Sequence, residues 1–162
     1  ATSMERIFVV EVMGRDSGFI ALQVALGGGC EEAIIPERKF DLEEICHEIV
    51  DGNIRGKVSW IVVVAEGAGR ADEIAKKITE MTSLETRAIA LGHVQRGGRP
   101  TAFSRNLAIL FGQAAVDCLL RGGSDKAVGM RDGKIVTVDL EFAITKKELE
   151  VDSLYKLIKI LT

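Results

Sequence analysis

The sequence predicts an α/β fold in three layers, with helices on both faces of a mainly parallel sheet. Three observations carry this. Apolar, β-branched runs alternate along the chain with stretches of helical periodicity. The strand runs are continuously apolar, as in Val62-Val63-Val64, which suits strands buried on both faces. Polar, glycine-bearing loops follow three of these strands, at the carboxyl ends where open parallel sheets collect ligands.

The elements follow in order. Ile7 to Val12 is a β-branched run and a buried strand. Gly18 to Leu26 reads as a helix with little polar surface, ended by Gly27-Gly28-Gly29. Ala33 to Ile35 is a short strand stopped by Pro36. Asp41 and Glu44 have capping-box spacing, and the helix behind them puts Leu42, Ile45, Cys46, Ile49 and Val50 on one face until Gly52. Trp60 to Ala65 is the strongest strand. Ala71 to Met81 is a helix carried by Ile74, Ala75, Ile78 and Met81, and Arg87 to Leu91 is the next strand. Asn106 to Leu120 is a long helix with Leu107, Leu110, Phe111, Ala114, Ala115, Cys118 and Leu119 inward. Residues 127–138 form a hairpin around Asp132-Gly133, an antiparallel addition at or near the sheet edge. Val151 to Leu161 is an amphipathic helix with Leu154, Leu157, Ile158 and Leu161 on its apolar side. The parallel connections are expected to be right-handed crossovers.

Composition narrows the function. The chain has 162 residues, 47% hydrophobic and 28% charged, which fits one globular domain over residues 1–162. A net charge of −3 gives no general attraction to nucleic acid or to an anionic membrane surface. No apolar run reaches the length of a membrane span. Cys30, Cys46 and Cys118 have no C-x-x-C spacing, so a reduced, cytoplasmic protein without structural zinc is expected.

The densest chemistry lies from Leu91 to Arg105. His93, Arg96, Arg99 and Arg105 surround Gly97-Gly98, just after a strand and just before a helix. Guanidinium forks match phosphate oxygens, glycines let backbone N–H groups approach a ligand, and a helix start adds positive potential. This is an anion site, and a phosphate ester suits it. Met13-Gly14-Arg15 and Glu66-Gly67-Ala68-Gly69 follow two other strands, and three such loops at equivalent strand ends are what one site requires. Taken one by one, the residues have plainer readings. His93 and Arg96 could be solvated loop residues, and Arg6 and Arg87 surface arginines at strand edges. Glu66 could be a helix-start carboxylate, and Met13 a core methionine.

The 91–105 stretch resembles the L-G-[HY]-x-Q-R-G-G-x-P-[TV]-x-x-D-R signature of the 6-phosphofructokinases, with Ser104 where that family usually has Asp. Val9 to Arg15 resembles the family's V-E-x-M-G-R segment. The resemblance covers nearly the whole chain. It implies one Rossmann-like lobe of the phosphofructokinase fold, the fructose 6-phosphate-binding half, with a nucleotide-binding lobe outside this chain. It further implies phosphoryl transfer to the 1-hydroxyl of fructose 6-phosphate from ATP or pyrophosphate, with Mg²⁺, in a glycolytic homo-oligomer. By the same resemblance His93 and Arg96 hold the sugar phosphate, and Arg6 and Arg87 reach it across a subunit interface. Glu66 takes hydrogen bonds from sugar hydroxyls, Met13 and Gly14 line the sugar pocket, and Arg15 faces the transferring phosphoryl group. Gly29, Glu31, Arg55 and Lys57 align with effector-binding positions of bacterial members, although Val58 replaces a further basic residue. The family's donor loop and its proton-accepting Asp segment have no counterpart here. A non-catalytic sugar-phosphate or effector-binding module is therefore the alternative, and a purely structural subunit comes third.

Overall fold

The computed structural model describes residues 6–145 and 150–161. In chain order the elements are β1 (Arg6–Val12), α1 (Phe19–Gly28), β2 (Glu32–Ile34), α2 (Leu42–Ile54), β3 (Ser59–Ala65), α3 (Ala71–Thr82), β4 (Thr86–Ala90), a 3-10 turn (Gly92–Arg96), α4 (Ala102–Leu120), β5 (Lys126–Arg131), β6 (Lys134–Asp139), α5 (Leu140–Ile144) and α6 (Asp152–Leu161). The chain divides into two compact units, Ala1–Arg96 with Leu149–Thr162, and Gly97–Glu148.

The first unit carries the expected layers. Its four strands are all parallel, in the order β2-β3-β1-β4. One face of the sheet packs Ile7, Val9, Ile34, Trp60, Val62 and Val64 against α2 and α3. The other packs Val12, Ala33, Ile35, Val63 and Ala65 against Ala21, Leu22 and Ala25 of α1 and Ile158 of α6. The chain moves one way across the sheet with α1 on one face, and back with α2 and α3 on the other, as a single hand of crossover requires.

Local chemistry sets the element ends. Asp41 caps α2 by accepting from the N–H of Glu43 (2.8 Å) and of Glu44 (3.4 Å). Gly52 does not end α2 as expected; the helix runs on to Ile54. The glycine is there for clearance, because a Cβ would stand 2.5 Å or less from the Trp60 ring. Val151, just before α6, and Ile158 within it are buried and Tyr155 packs beside them, but Leu157 and Leu161 face outward at 41% and 64% exposure. The helix is fixed instead by charge. Lys159 reaches Glu32 of β2 at 2.9 Å and Glu48 of α2 at 2.5 Å, and Glu32 is otherwise buried.

The second unit holds α4, β5, β6 and α5. The hairpin turn is Asp132-Gly133, with φ of 51° and 73°, the left-handed pair that a two-residue turn needs. The expected edge addition is corrected: among the described residues β5 and β6 pair with each other alone, in a separate two-stranded sheet. Helix α4 starts four residues before the expected Asn106, because the Thr101 hydroxyl accepts from the Ser104 N–H at 3.2 Å. Leu107, Phe111, Ala114, Ala115 and Cys118 are half-buried, whereas Leu110 and Leu119, expected inward, are exposed. Within this unit α4 packs on β5 and β6, and so small a sheet cannot cover a helix of 19 residues.

Candidate functional site

The reversal of strand order falls between β1 and β3. The chain leaves β1 over one face and leaves β3 over the other, so their carboxyl ends flank the crevice where ligands of open parallel sheets bind. The loops after β1 and β3 meet there through one carboxylate. Glu66 Oε1 accepts from the backbone N–H of Arg15 at 2.7 Å and of Gly14 at 3.1 Å. The Glu66 N–H in turn donates to the Val12 carbonyl at 3.0 Å. Arg15 has φ of 51°, a left-handed conformation uncommon for a residue with a side chain. Two glycines permit this close fit. A Cβ on Gly14 would overlap the Ser17 carbonyl oxygen, and one on Gly67 would overlap the Arg15 carbonyl oxygen.

The turn after β4 joins the same end of the sheet. Leu91 N–H donates to the Glu11 carbonyl at 3.1 Å, carrying His93 and Arg96 alongside the Met13 loop. The Gln95 side-chain oxygen accepts from the Met13 N–H at 3.3 Å. The structure therefore brings Met13, Gly14, Arg15, Glu66, His93 and Arg96 to adjoining strand ends.

The N–H of Arg15, then that of Gly14, holds the Glu66 carboxyl below the ordinary carboxylate range, with the charges of Arg15 and Arg96 acting in the same direction. A lowered folded pKa contributes stability that is present above the unfolded value near 4.5 and is lost as pH falls through the folded value. The carboxyl carbon resonance of Glu66 should consequently titrate at lower pH than that of an exposed glutamate. In Glu66→Gln the acid-side loosening of the Gly14 and Arg15 amides should disappear. A Glu66 resonance titrating at the ordinary value would show that the two N–H bonds do not form in solution.

Arg6 and Arg87 lie elsewhere. Both sit near the amino end of the sheet, roughly 20 Å from the Met13 end at about 3.3 Å per strand residue. They converge on Glu85, with Arg6 Nε 3.0 Å and an Arg87 terminal nitrogen 2.9 Å from its carboxylate oxygens. Hydrogen bonds from Arg6, then Arg87, hold that carboxyl below its usual range. One copy of the first unit thus does not bring Arg6 and Arg87 to His93 and Arg96.

Of the four effector candidates, two are joined. Lys57 Nζ is 3.0 Å from Glu31 Oε1, and Glu31 Oε2 accepts from the Ile61 N–H at 2.6 Å. Gly29 terminates α1 in a left-handed conformation, and Arg55 is an exposed residue at the end of α2.

No individual role was legible in the sequence for Gln95, Glu11 or Gly67. Glu11 Oε2 accepts from the Ala71 N–H at 2.9 Å, capping α3 where Arg70 offers no side-chain cap. Its signal was a carboxylate inside an apolar strand.

A family profile described as Phosphofructokinase matches residues 1–119. An ATP-dependent 6-phosphofructokinase of Clostridium novyi (strain NT) is 44% identical over 162 residues, covering 100% of this chain and 51% of that protein. Another, of Clostridium acetobutylicum, is 46% identical over 89% of this chain and 45% of its own length. The chain thus spans about half the length of the curated relatives it matches. Among solved structures, phosphofructokinase from Saccharomyces cerevisiae superposes with a TM-score of 0.79 at 33% identity, covering 99% of this chain and 22% of that one. A pyrophosphate-dependent phosphofructokinase from Marinobacter aquaeolei has a TM-score of 0.78 over 99% of this chain and 48% of that one; at 23% identity it attests the fold alone.

Proposed function

The chain belongs to the phosphofructokinase family, and on that premise we propose that it supplies the sugar-phosphate half of a 6-phosphofructokinase site. The observation that carries this is the clamp of Glu66 on the Gly14 and Arg15 amides, set beside the His93–Arg96 turn at the strand-order reversal. A crevice with two guanidinium groups, a histidine and a carboxylate suits a phosphorylated polyol. Arg96 and His93 take the non-reacting 6-phosphate, and Glu66 Oε2 accepts from a sugar hydroxyl while Oε1 holds the loop. The sugar 1-hydroxyl oxygen attacks the donor's terminal phosphorus, the bond to the leaving phosphate breaks, and the proton passes to a base outside this chain. Arg15 offsets charge on the transferring group. The product is fructose 1,6-bisphosphate, a step of glycolysis, in the cytoplasm.

ATP or pyrophosphate, with Mg²⁺, would be bound mainly by the remainder of the protein. The placement of Arg6 and Arg87 at the opposite end of the sheet supports a shared site in a homo-oligomer, one copy lending these arginines to another. The regulatory reading rests on Lys57, for which an anionic effector would compete with Glu31.

The test is an assay of two samples with fructose 6-phosphate, Mg²⁺ and either donor. The full-length protein should turn over in the usual kinase range of about 1 to 100 per second. Residues 1–162 alone should show none. A full-length protein that binds fructose 6-phosphate without turnover with either donor would establish the module reading instead.

A further inference from the structure

Three successive backbone N–H groups of the loop after β1 are held by side chains from neighbouring loops. Glu66, after β3, takes those of Gly14 and Arg15. Gln95, after β4, takes that of Met13. The same Gln95 amide donates from Nε2 to the Gly92 carbonyl at 3.2 Å, so both ends of its dipole are used and its orientation is fixed. Gln95 lies between His93 and Arg96 in one tight turn. Among the described residues its carboxamide is the side chain seen hydrogen-bonding that turn to the Met13 loop.

Resting on the function proposed above, we infer that Gln95 is a positioning residue that couples the phosphate-holding turn to the Met13–Arg15 loop. Gln95 Oε1 accepts from the Met13 amide and so ties the turn that carries His93 and Arg96 to the loop. The loop that carries Arg15 is held by Gln95 at Met13 and by Glu66 at Gly14 and Arg15. Gln95 touches neither the reacting atoms nor the 6-phosphate in this role. Its effect belongs to turnover rather than to affinity.

The test uses two variants of the full-length protein. Gln95→Met keeps the side-chain length and loses both hydrogen bonds. Its kcat should fall about threefold to tenfold, the range expected for one neutral hydrogen bond, with a smaller change in KM for fructose 6-phosphate. Gln95→Glu keeps the acceptor for Met13 N–H and adds a negative charge beside the phosphate. It should recover most of the lost kcat while raising KM. Hydrogen exchange at the Met13 amide, followed without any substrate, should quicken in Gln95→Met and return toward the wild-type rate in Gln95→Glu. A Gln95→Met protein with wild-type kcat and wild-type exchange would overturn the inference. So would a Gln95→Glu variant that restores neither. The wild-type assay with fructose 6-phosphate is read separately: its failure removes the proposed function, whereas the exchange result still decides whether Gln95 holds the loop.

Discussion

Gly67→Ala is expected to lower the turnover of the full-length protein about 100-fold. Its added Cβ would lie more than 1 Å inside the 3.4 Å at which ordinary contact with the Arg15 carbonyl oxygen begins. That oxygen is backbone, so it cannot swing aside like a flexible side chain. Either the β3 loop or the Arg15 peptide must move by about the overlap. A misplacement of about 1 Å at a reacting centre can cost on the order of 100-fold in rate. The stability cost should stay within the usual overpacking range of about 1 to 3 kcal/mol, because the loop lies at the surface and can shift without opening the core. Gly69→Ala is the control in the same loop. Its Cβ would meet the Ile74 side chain at 3.1 Å, a contact that a small rotation relieves, so its kcat should stay near wild type. Comparing kcat with the urea midpoint for both variants checks the argument. A Gly67→Ala protein with full turnover would mean that the Arg15 carbonyl does not pack on the β3 loop.

Gly67 also marks what periodicity can and cannot reveal. The strands and helices of the first unit were legible because apolar spacing reports which face is buried. Gly52 misled for a related reason: a glycine signals a helix end, but here it answers the bulk of Trp60, eight residues away and on another element. In the second unit the hairpin was legible, and five of the seven positions of α4 expected inward are half-buried, but Leu110 and Leu119 are exposed. The Asp132-Gly133 turn was plain from the dipeptide, but whether its hairpin joins the main sheet depends on pairing that local chemistry does not encode.

The candidate site divides in the same way. His93, Arg96, Met13, Gly14 and Arg15 stood inside motifs, and the strand ends that carry them were predictable. The bonds that fix them were not. Glu66 reaches back 51 residues to Arg15, Gln95 82 residues to Met13, and Glu11 60 residues forward to Ala71. A side chain that holds a distant amide leaves no repeat in the sequence. Arg6 and Arg87, which the family resemblance assigns to a site shared across a subunit interface, lie near the amino end of the sheet and away from His93 and Arg96.

Arg96 and Arg15 offer the sharpest division between binding and chemistry, since each removes one positive charge from the same crevice. Arg96 is assigned to the 6-phosphate, which does not react, so its contact is equally strong in the ground state and the transition state. A hydrogen bond to a charged group typically contributes about 1.5 to 3 kcal/mol. Arg96→Ala in the full-length protein should therefore raise KM for fructose 6-phosphate roughly 10- to 150-fold, at about 1.4 kcal/mol per factor of ten, and should lower kcat much less. Arg15 is assigned to the group in transit, where charge develops only as the phosphorus–oxygen bonds exchange. Arg15→Ala should mainly lower kcat, with a smaller change in KM. Arg15→Lys keeps the charge but loses the planar fork, so it should fall between wild type and alanine in kcat. Steady-state kinetics of the three variants at saturating donor distinguish the roles. If Arg96→Ala and Arg15→Ala show the same pattern, both arginines act as a single anion hold, and the clamp of Glu66 on the Arg15 amide serves binding alone.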